Sequence, residues 1–204
     1  MKTRETKVYK KNPTSKSGPA RKVKPAEGMQ SLAEDFAETG FSSASVSYQL
    51  DVVIESFLRQ AVAKSAFNIQ DKKLTFADLL ADRMLMVLAI KEGIPFRVFR
   101  LIQKLSPFTM NEWGAFLNLS TKSIQRYQQS NTRFKPIYSE KIVELAEVIK
   151  TGIEIFDTMD QFKLWLDTPN FALGKQKPID LLSDSYGKDL VLGELIRTDQ
   201  GIFA

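Results

Sequence analysis

Between Tyr48 and Arg197 the large apolar residues recur at intervals of three and four, and almost nowhere do they alternate with polar ones. That spacing lines up one face of a helix, whereas a half-buried strand needs a period of two. The longest run is Ile142, Leu145, Ala146, Ile149, Ile153 and Phe156, a stripe of about four turns. An all-α fold is therefore expected. Val53, Ile54, Phe57, Leu58 and Ala61 mark one helix. Phe76, Leu79, Leu80, Arg83, Met84, Val87 and Leu88 mark a second that runs to Gly93, a residue suited to a left-handed helix end. Pro95 suits the first turn of the next helix, with Phe96, Phe99, Ile102 and Leu105 on its apolar face. After Pro136, Ser139 is read as the cap of the long helix. That helix either packs on the elements before it or pairs with its twin in a dimer.

A chain of 204 residues, 43% hydrophobic and 26% charged, can bury one good core or two small ones. It has no cysteine and no histidine. Those two absences remove disulfide frameworks, histidine bases, Cys-His and Ser-His-Asp nucleophile systems and nearly all zinc sites. No paired-carboxylate site, phosphate loop or metal motif stands in their place, so no cofactor, no metal and no enzymatic activity are expected. No apolar run is long enough for a membrane span and none follows the basic N-terminus as a signal would, so a cytoplasmic location is expected.

The net charge of +5 is unevenly placed. Residues 1–25 hold nine lysines and arginines against Glu5, a surplus of eight, which leaves the rest with a deficit of three. With Pro13, Ser15, Ser17, Gly18, Pro19 and Pro25 alongside, this stretch lacks the apolar area to offset chain entropy and reads as a disordered basic arm. It serves either to attract DNA phosphates or only to keep the chain soluble. Residues 26–45 read as linker, with a helical hint at Leu32, Phe36 and Ala37.

The segment from about 109 to 130 meets the separate demands of two helices joined by a tight turn. Trp113, Phe116 and Leu117 form one buried face, and Gly114 leaves room for the second helix. Asn118 falls where the turn often needs positive φ, which asparagine tolerates well. Leu119 tucks inward, Ser120 caps the second helix, and Ile124 and Tyr127 return to the core. Thr121, Lys122, Ser123, Gln125, Arg126 and Gln128 then point outward with no acidic residue among them. This is the pattern of a recognition helix. Thr121, Lys122 and Gln125 suit base edges, while Ser120, Arg126 and Arg133 suit phosphates. Two half-sites on operator DNA would be met by a homodimer.

Beyond residue 157 the elements shorten. Asp160 opens a helix with Phe162, Trp165 and Leu166 on one face. Pro169 and Pro178 sit where short helices begin, Gly174 where one ends, and a last helix over 184–197 carries Leu192, Leu195 and Ile196. The apolar end Gly201, Ile202, Phe203, Ala204 either folds back or enters another molecule.

The string Trp165-Leu166-Asp167-Thr168-Pro169-Asn170-Phe171-Ala172-Leu173-Gly174, followed by Pro178, Asp180, Leu181, Leu182, Gly187, Ile196 and Gly201, closely resembles the toxin-binding domain of Xre/MbcA/ParS antitoxins. Upstream, Leu117-Asn118-Leu119-Ser120 with Ile124 and Arg126 resembles the helix-turn-helix of the same family. The resemblance spans roughly residues 85–204. Together with the composition and spacing above, it divides the chain into a disordered arm and linker over 1–45, a helical region with the helix-turn-helix over 46–157, and a toxin-binding domain over 158–204. It further implies a RES-domain toxin that depletes NAD as partner, and repression of the operon encoding both proteins. Trp165, Pro169, Asn170, Leu173, Leu192, Ile196 and Arg197 would contact that toxin, with Gly201, Ile202, Phe203 and Ala204 plugging its NAD cleft. Two features depart from the family: the long basic arm, and Lys175 where a second glycine often follows Ala-Leu-Gly. A plain helix-turn-helix regulator with a C-terminal dimerisation domain is the competing expectation.

Overall fold

The computed structural model describes residues 43–65 and 73–201. The basic arm, the helical hint at Leu32, Phe36 and Ala37, and the expected plug residues Ile202, Phe203 and Ala204 lie outside the described residues. Described are α1 (Ser43–Ala63), α2 (Phe76–Ala81), α3 (Arg83–Glu92), α4 (Phe96–Lys104), α5 (Met110–Phe116), α6 (Thr121–Ser130), α7 (Pro136–Ile155), α8 (Met159–Asp167), a single 3-10 turn (Phe171–Leu173), α9 (Pro178–Leu181) and α10 (Ser185–Asp199). No strand occurs among the described residues, which carry only two isolated bridges, Pro95 with Arg133 and Asn170 with Gln176.

Helix α7 is the axis of the packing. It contacts α2 and α3 on the N-terminal side and α8 and α10 on the C-terminal side, while α1 packs on α2, α3 and α4. Because α7 is covered from several directions, Val143, Val148 and Gly152 are buried along with Ile142, Leu145, Ala146 and Ile149. Its buried face is therefore wider than the single stripe in the sequence, and Ile153, the stripe's next member, is 41% exposed. At Gly152 a Cβ would stand 2.2 Å from the Phe162 ring, so the absence of a side chain is what lets α8 cross there.

Several expectations are corrected. The helix expected to run unbroken to Gly93 is interrupted at Asp82, whose carboxylate accepts from the backbone N–H of Met84 and Leu85 and so starts a new helix. The break rotates the second half: Leu85 and Ala89 face the core, and Met84 and Val87 lie 48% and 42% exposed. Ser139 is not a cap. Proline occupies the first turn of α7, Lys135 is the capping position, and Ser139 sits inside the helix, fully buried. Its Oγ accepts from Ile94 N–H at 2.9 Å and donates to the Phe134 carbonyl at 3.2 Å. The linker reading of 26–45 overruns by three residues, because α1 already begins at Ser43.

Gly93 ends α3 at φ 86° and ψ 125°, a glycine region distinct from the left-handed helical one expected. A Cβ there would also meet the Phe134 carbonyl oxygen at 2.5 Å. The chain then pairs with the segment after α6: Phe134 N–H donates to the Ile94 carbonyl at 2.9 Å and Phe96 N–H to the Thr132 carbonyl at 3.3 Å. Pro95 occupies the position before α4, with no side-chain capping bond, rather than entering its first turn.

Candidate nucleic-acid and partner interfaces

The first helix of the expected DNA-reading pair is held by a reciprocal cap. Thr109 Oγ1 accepts from Glu112 N–H at 3.2 Å, and Glu112 accepts from Thr109 N–H at 2.7 Å. Trp113 is wholly buried, edge-on to Phe99 at 5.1 Å and Phe108 at 6.0 Å, and its indole N–H donates to Ser106 Oγ at 3.1 Å. The turn has the conformation its residues suggest, with Asn118 at φ 50°. A Cβ on Gly114 would stand 2.9 Å from the Leu119 carbonyl oxygen, and Leu119 N–H donates to the Gly114 carbonyl at 2.9 Å. Ser120 Oγ accepts from Ser123 N–H at 3.1 Å and starts α6.

On α6, Ile124 is buried and Tyr127 stacks on Phe134 with ring centres 4.3 Å apart. Thr121, Lys122, Gln125, Arg126 and Gln128 are exposed together on the other side. Ser123 is half-buried, sharing a 2.9 Å hydrogen bond with Ser120 and accepting from Arg126 Nη2 at 3.2 Å. A polar row Ser120, Ser123, Arg126 thus runs along the first two turns, with the arginine drawn toward the positive end of the helix dipole. Residues 113–139 contain no acidic side chain and four cationic ones, Lys122, Arg126, Arg133 and Lys135. Both the dipole and the charge there favour a polyanion.

Arg133 is placed apart from that row. Its guanidinium pairs with Glu92, donates to Gln60 Oε1 at 3.0 Å and lies over the Phe57 ring at 5.6 Å. Glu92 also pairs with Lys64 at 2.6 Å. The hydrogen bond from Lys64, resisted by burial and reinforced by the charge of Arg133, holds the Glu92 carboxyl below its ordinary value.

The expected partner-binding residues divide into surface and scaffold. Pro169, Ile196, Arg197 and Gly201 are exposed, and Trp165 and Leu192 are half-buried. Leu173 is buried in the core. Asn170 is spent on the turn it occupies: its side chain accepts from Ala172 N–H at 2.8 Å and donates to Glu194 Oε1 at 3.1 Å. Its carbonyl accepts from Lys175 N–H at 2.8 Å. Glu194, itself buried, is forked by Arg197 at 2.6 and 2.7 Å. Lys175 adopts φ 63°, so the position where family members often carry glycine is a left-handed one. A shallow groove is lined by Trp165, Thr168, Pro169, Asn170, Phe171, Glu194 and Thr198. Phe171 and, one residue before Trp165, Leu164 stand 73% and 68% exposed. Neither was among the expected contacts, and the available signal was their position off the stripe of Phe162, Trp165 and Leu166.

The helix-turn-helix and the C-terminal helices are joined by Lys163 of α8, whose ammonium lies 2.6 Å from Glu112 and 3.1 Å from Asp167. Burial pushes the Glu112 carboxyl up, but hydrogen bonds from Lys163 and Thr109 outweigh it and the net displacement is downward. Burial lowers Lys163, and its two carboxylate partners more than reverse that.

These features define a helix-turn-helix protein with an appended small-helix domain. The antitoxin Xre-like helix-turn-helix domain family matches residues 86–147, and the antitoxin Xre/MbcA/ParS C-terminal toxin-binding domain family matches residues 151–201. The chain belongs to the Xre/MbcA/ParS antitoxins, and its two family-matched regions lie in the order expected from the sequence. It is similar to the mycobacterial cidal antitoxin MbcA of Mycobacterium tuberculosis and of Mycobacterium bovis, with 28% identity over 96 residues, 47% of this chain and 82% of the relative. The crystal structure of the M. tuberculosis MbcT-MbcA toxin-antitoxin complex contains a chain 27% identical to this one, with a TM-score of 0.43, covering 50% of this chain and 90% of that one. Helices α1 and α2 precede both matched regions.

Proposed function

We propose that this antitoxin neutralises a RES-domain toxin with its C-terminal helices and, as a homodimer, represses the operon encoding both proteins through α6. The observation that carries the reading is the coexistence, on one chain, of an acid-free cationic helix face with a matched toxin-binding domain. Lys122, Gln125 and Thr121 would meet base edges, and Ser120, Ser123 and Arg126 phosphates, a division that follows from reach and charge. The toxin would be met by Trp165, Pro169, Ile196 and Arg197, with Leu164 and Phe171 adding apolar area. Asn170, Leu173 and Leu192 would serve by holding that surface in shape. Residues Gly201, Ile202, Phe203 and Ala204 would reach the toxin's cleft and exclude NAD by bulk alone, which asks for no catalysis by this chain.

Deleting residues 197–204 tests the division of labour. The truncated chain should bind the DNA upstream of its own reading frame as the full chain does, and fail to rescue growth of cells expressing the toxin encoded beside it. Full rescue by the truncated chain would refute the plug, whereas failure of the full chain itself to rescue would favour a regulator whose C-terminal domain only dimerises.

A further inference from the structure

Helix α1 lies outside both family-matched regions, yet it is wired to the residue that follows the recognition helix. Arg133 stands three positions beyond the end of α6 and reaches back across the fold to Gln60 and the Phe57 ring on α1 and to Glu92 at the end of α3. The backbone on either side of it is pinned as well. Thr132 accepts from Phe96 N–H, and Phe134 donates to Ile94. We infer that α1 is a positioning element for DNA recognition and that Arg133 is its latch, fixing the C-terminal end of α6 rather than touching phosphate.

The inference rests on the DNA-binding reading above and sharpens it. The N-terminal end of α6 is already fixed by the close approach of Gly114 to Leu119. At its other end the helix gives way to Asn131 in the left-handed conformation, φ 46°, a point from which the chain could leave in other directions. What holds it are the stack of Tyr127 on Phe134, the backbone bonds of Thr132 and Phe134 to the Ile94–Phe96 segment, and the latch between them. With the latch open, a swing of about 5° about the N-terminal end would carry Arg126, roughly 9 Å along the axis, by nearly 1 Å. Hydrogen-bonded readout of bases and phosphates requires placement to about half that distance.

A guanidinium suits this task because its fork engages Glu92 and Gln60 at once while its face covers Phe57. Lysine would keep the charge needed for a phosphate contact but could not make both hydrogen bonds in that geometry. Glu92 gives the opposite sign for the two roles. If Arg133 bound phosphate, neutralising Glu92 would release it and remove a repelling charge, so binding would tighten. If Arg133 is a latch, neutralising Glu92 loosens α6 and binding weakens.

The experiment measures binding of the full chain to the intergenic DNA just upstream of its own reading frame, by fluorescence anisotropy across a salt series. The variants are R133K, E92Q and Q60A, with unfolding midpoints recorded to confirm that each folds. The latch predicts roughly five- to tenfold weaker binding for R133K and about threefold weaker binding for E92Q and Q60A, all with the salt slope of the wild type. Tighter binding by E92Q, a slope reduced in R133K, or unchanged affinity in all three would overturn it. Wild-type binding that depends on Lys122 and Arg126 but ignores these three variants refutes the latch alone, whereas no binding by the wild type refutes the DNA-binding reading beneath it.

Discussion

Replacing Ser139 separates two physical accounts of one residue. As a helix cap near a surface it would accept alanine at a cost of about 1 kcal/mol and would accept aspartate freely. In the structure its Oγ is the buried partner of Ile94 N–H and of the Phe134 carbonyl, at 2.9 and 3.2 Å, with Ile94, Phe134 and Ser139 all buried. Ser139→Ala leaves the Ile94 N–H without that acceptor in the core, a penalty of about 1–3 kcal/mol, or roughly 2–12 °C in the unfolding midpoint of a domain this size. Ser139→Asp puts a carboxylate in the buried interior against the Phe134 carbonyl oxygen that the hydroxyl now donates to, and should cost about 3–5 kcal/mol. Urea unfolding followed by the fluorescence of Trp113 and Trp165 measures both. The diagnostic is the order: alanine harmful, aspartate far worse. An aspartate variant as stable as the wild type would return Ser139 to the role of a cap and refute the buried staple.

Two further outcomes follow from the same reasoning. Gly93→Ala must hold φ near 86° and put a Cβ 2.5 Å from a backbone oxygen, so it should destabilise by about 2–3 kcal/mol, detectable as a lower urea midpoint with an unchanged slope. Glu112 has a folded value below its ordinary one, so its contribution is present above the ordinary carboxylate range and is lost as pH falls through the folded value. Lys163, displaced upward, contributes below the ordinary lysine range and loses this as pH rises through its folded value. Acid unfolding of E112Q should accordingly show a shallower loss of stability below about pH 4–5 than the wild type, and an identical acid limb would argue against the link.

The helix-turn-helix was legible because each of its demands falls on a different residue within one short stretch. Gly114 for close approach, Asn118 for positive φ and Ser120 for the cap are local requirements, set by neighbours within a few positions. What was hidden depends on distant partners. Arg133 reads as one more surface cation until Glu92, 41 positions away, and Gln60, 73 positions away, are brought beside it. Ser139 follows a proline and looks like a cap, but its partner Ile94 lies 45 positions upstream. The break at Asp82 was missed for another reason: helical periodicity continues across it, and only the capping preference of aspartate argued against an unbroken helix. Among the C-terminal residues, sequence alone could not tell that Leu173 supports the surface from within while Leu164 and Phe171 stand on it.

The central claim is that α6 presents Lys122 and Arg126 to DNA, and salt-dependent binding of K122A/R126A to the chain's own upstream DNA tests it most directly. Two lost cationic contacts should weaken binding by roughly ten- to a hundredfold and reduce the magnitude of the log–log salt slope by about 2, with the unfolding midpoint unchanged because neither side chain is buried. Affinity and slope equal to those of the wild type would contradict the account.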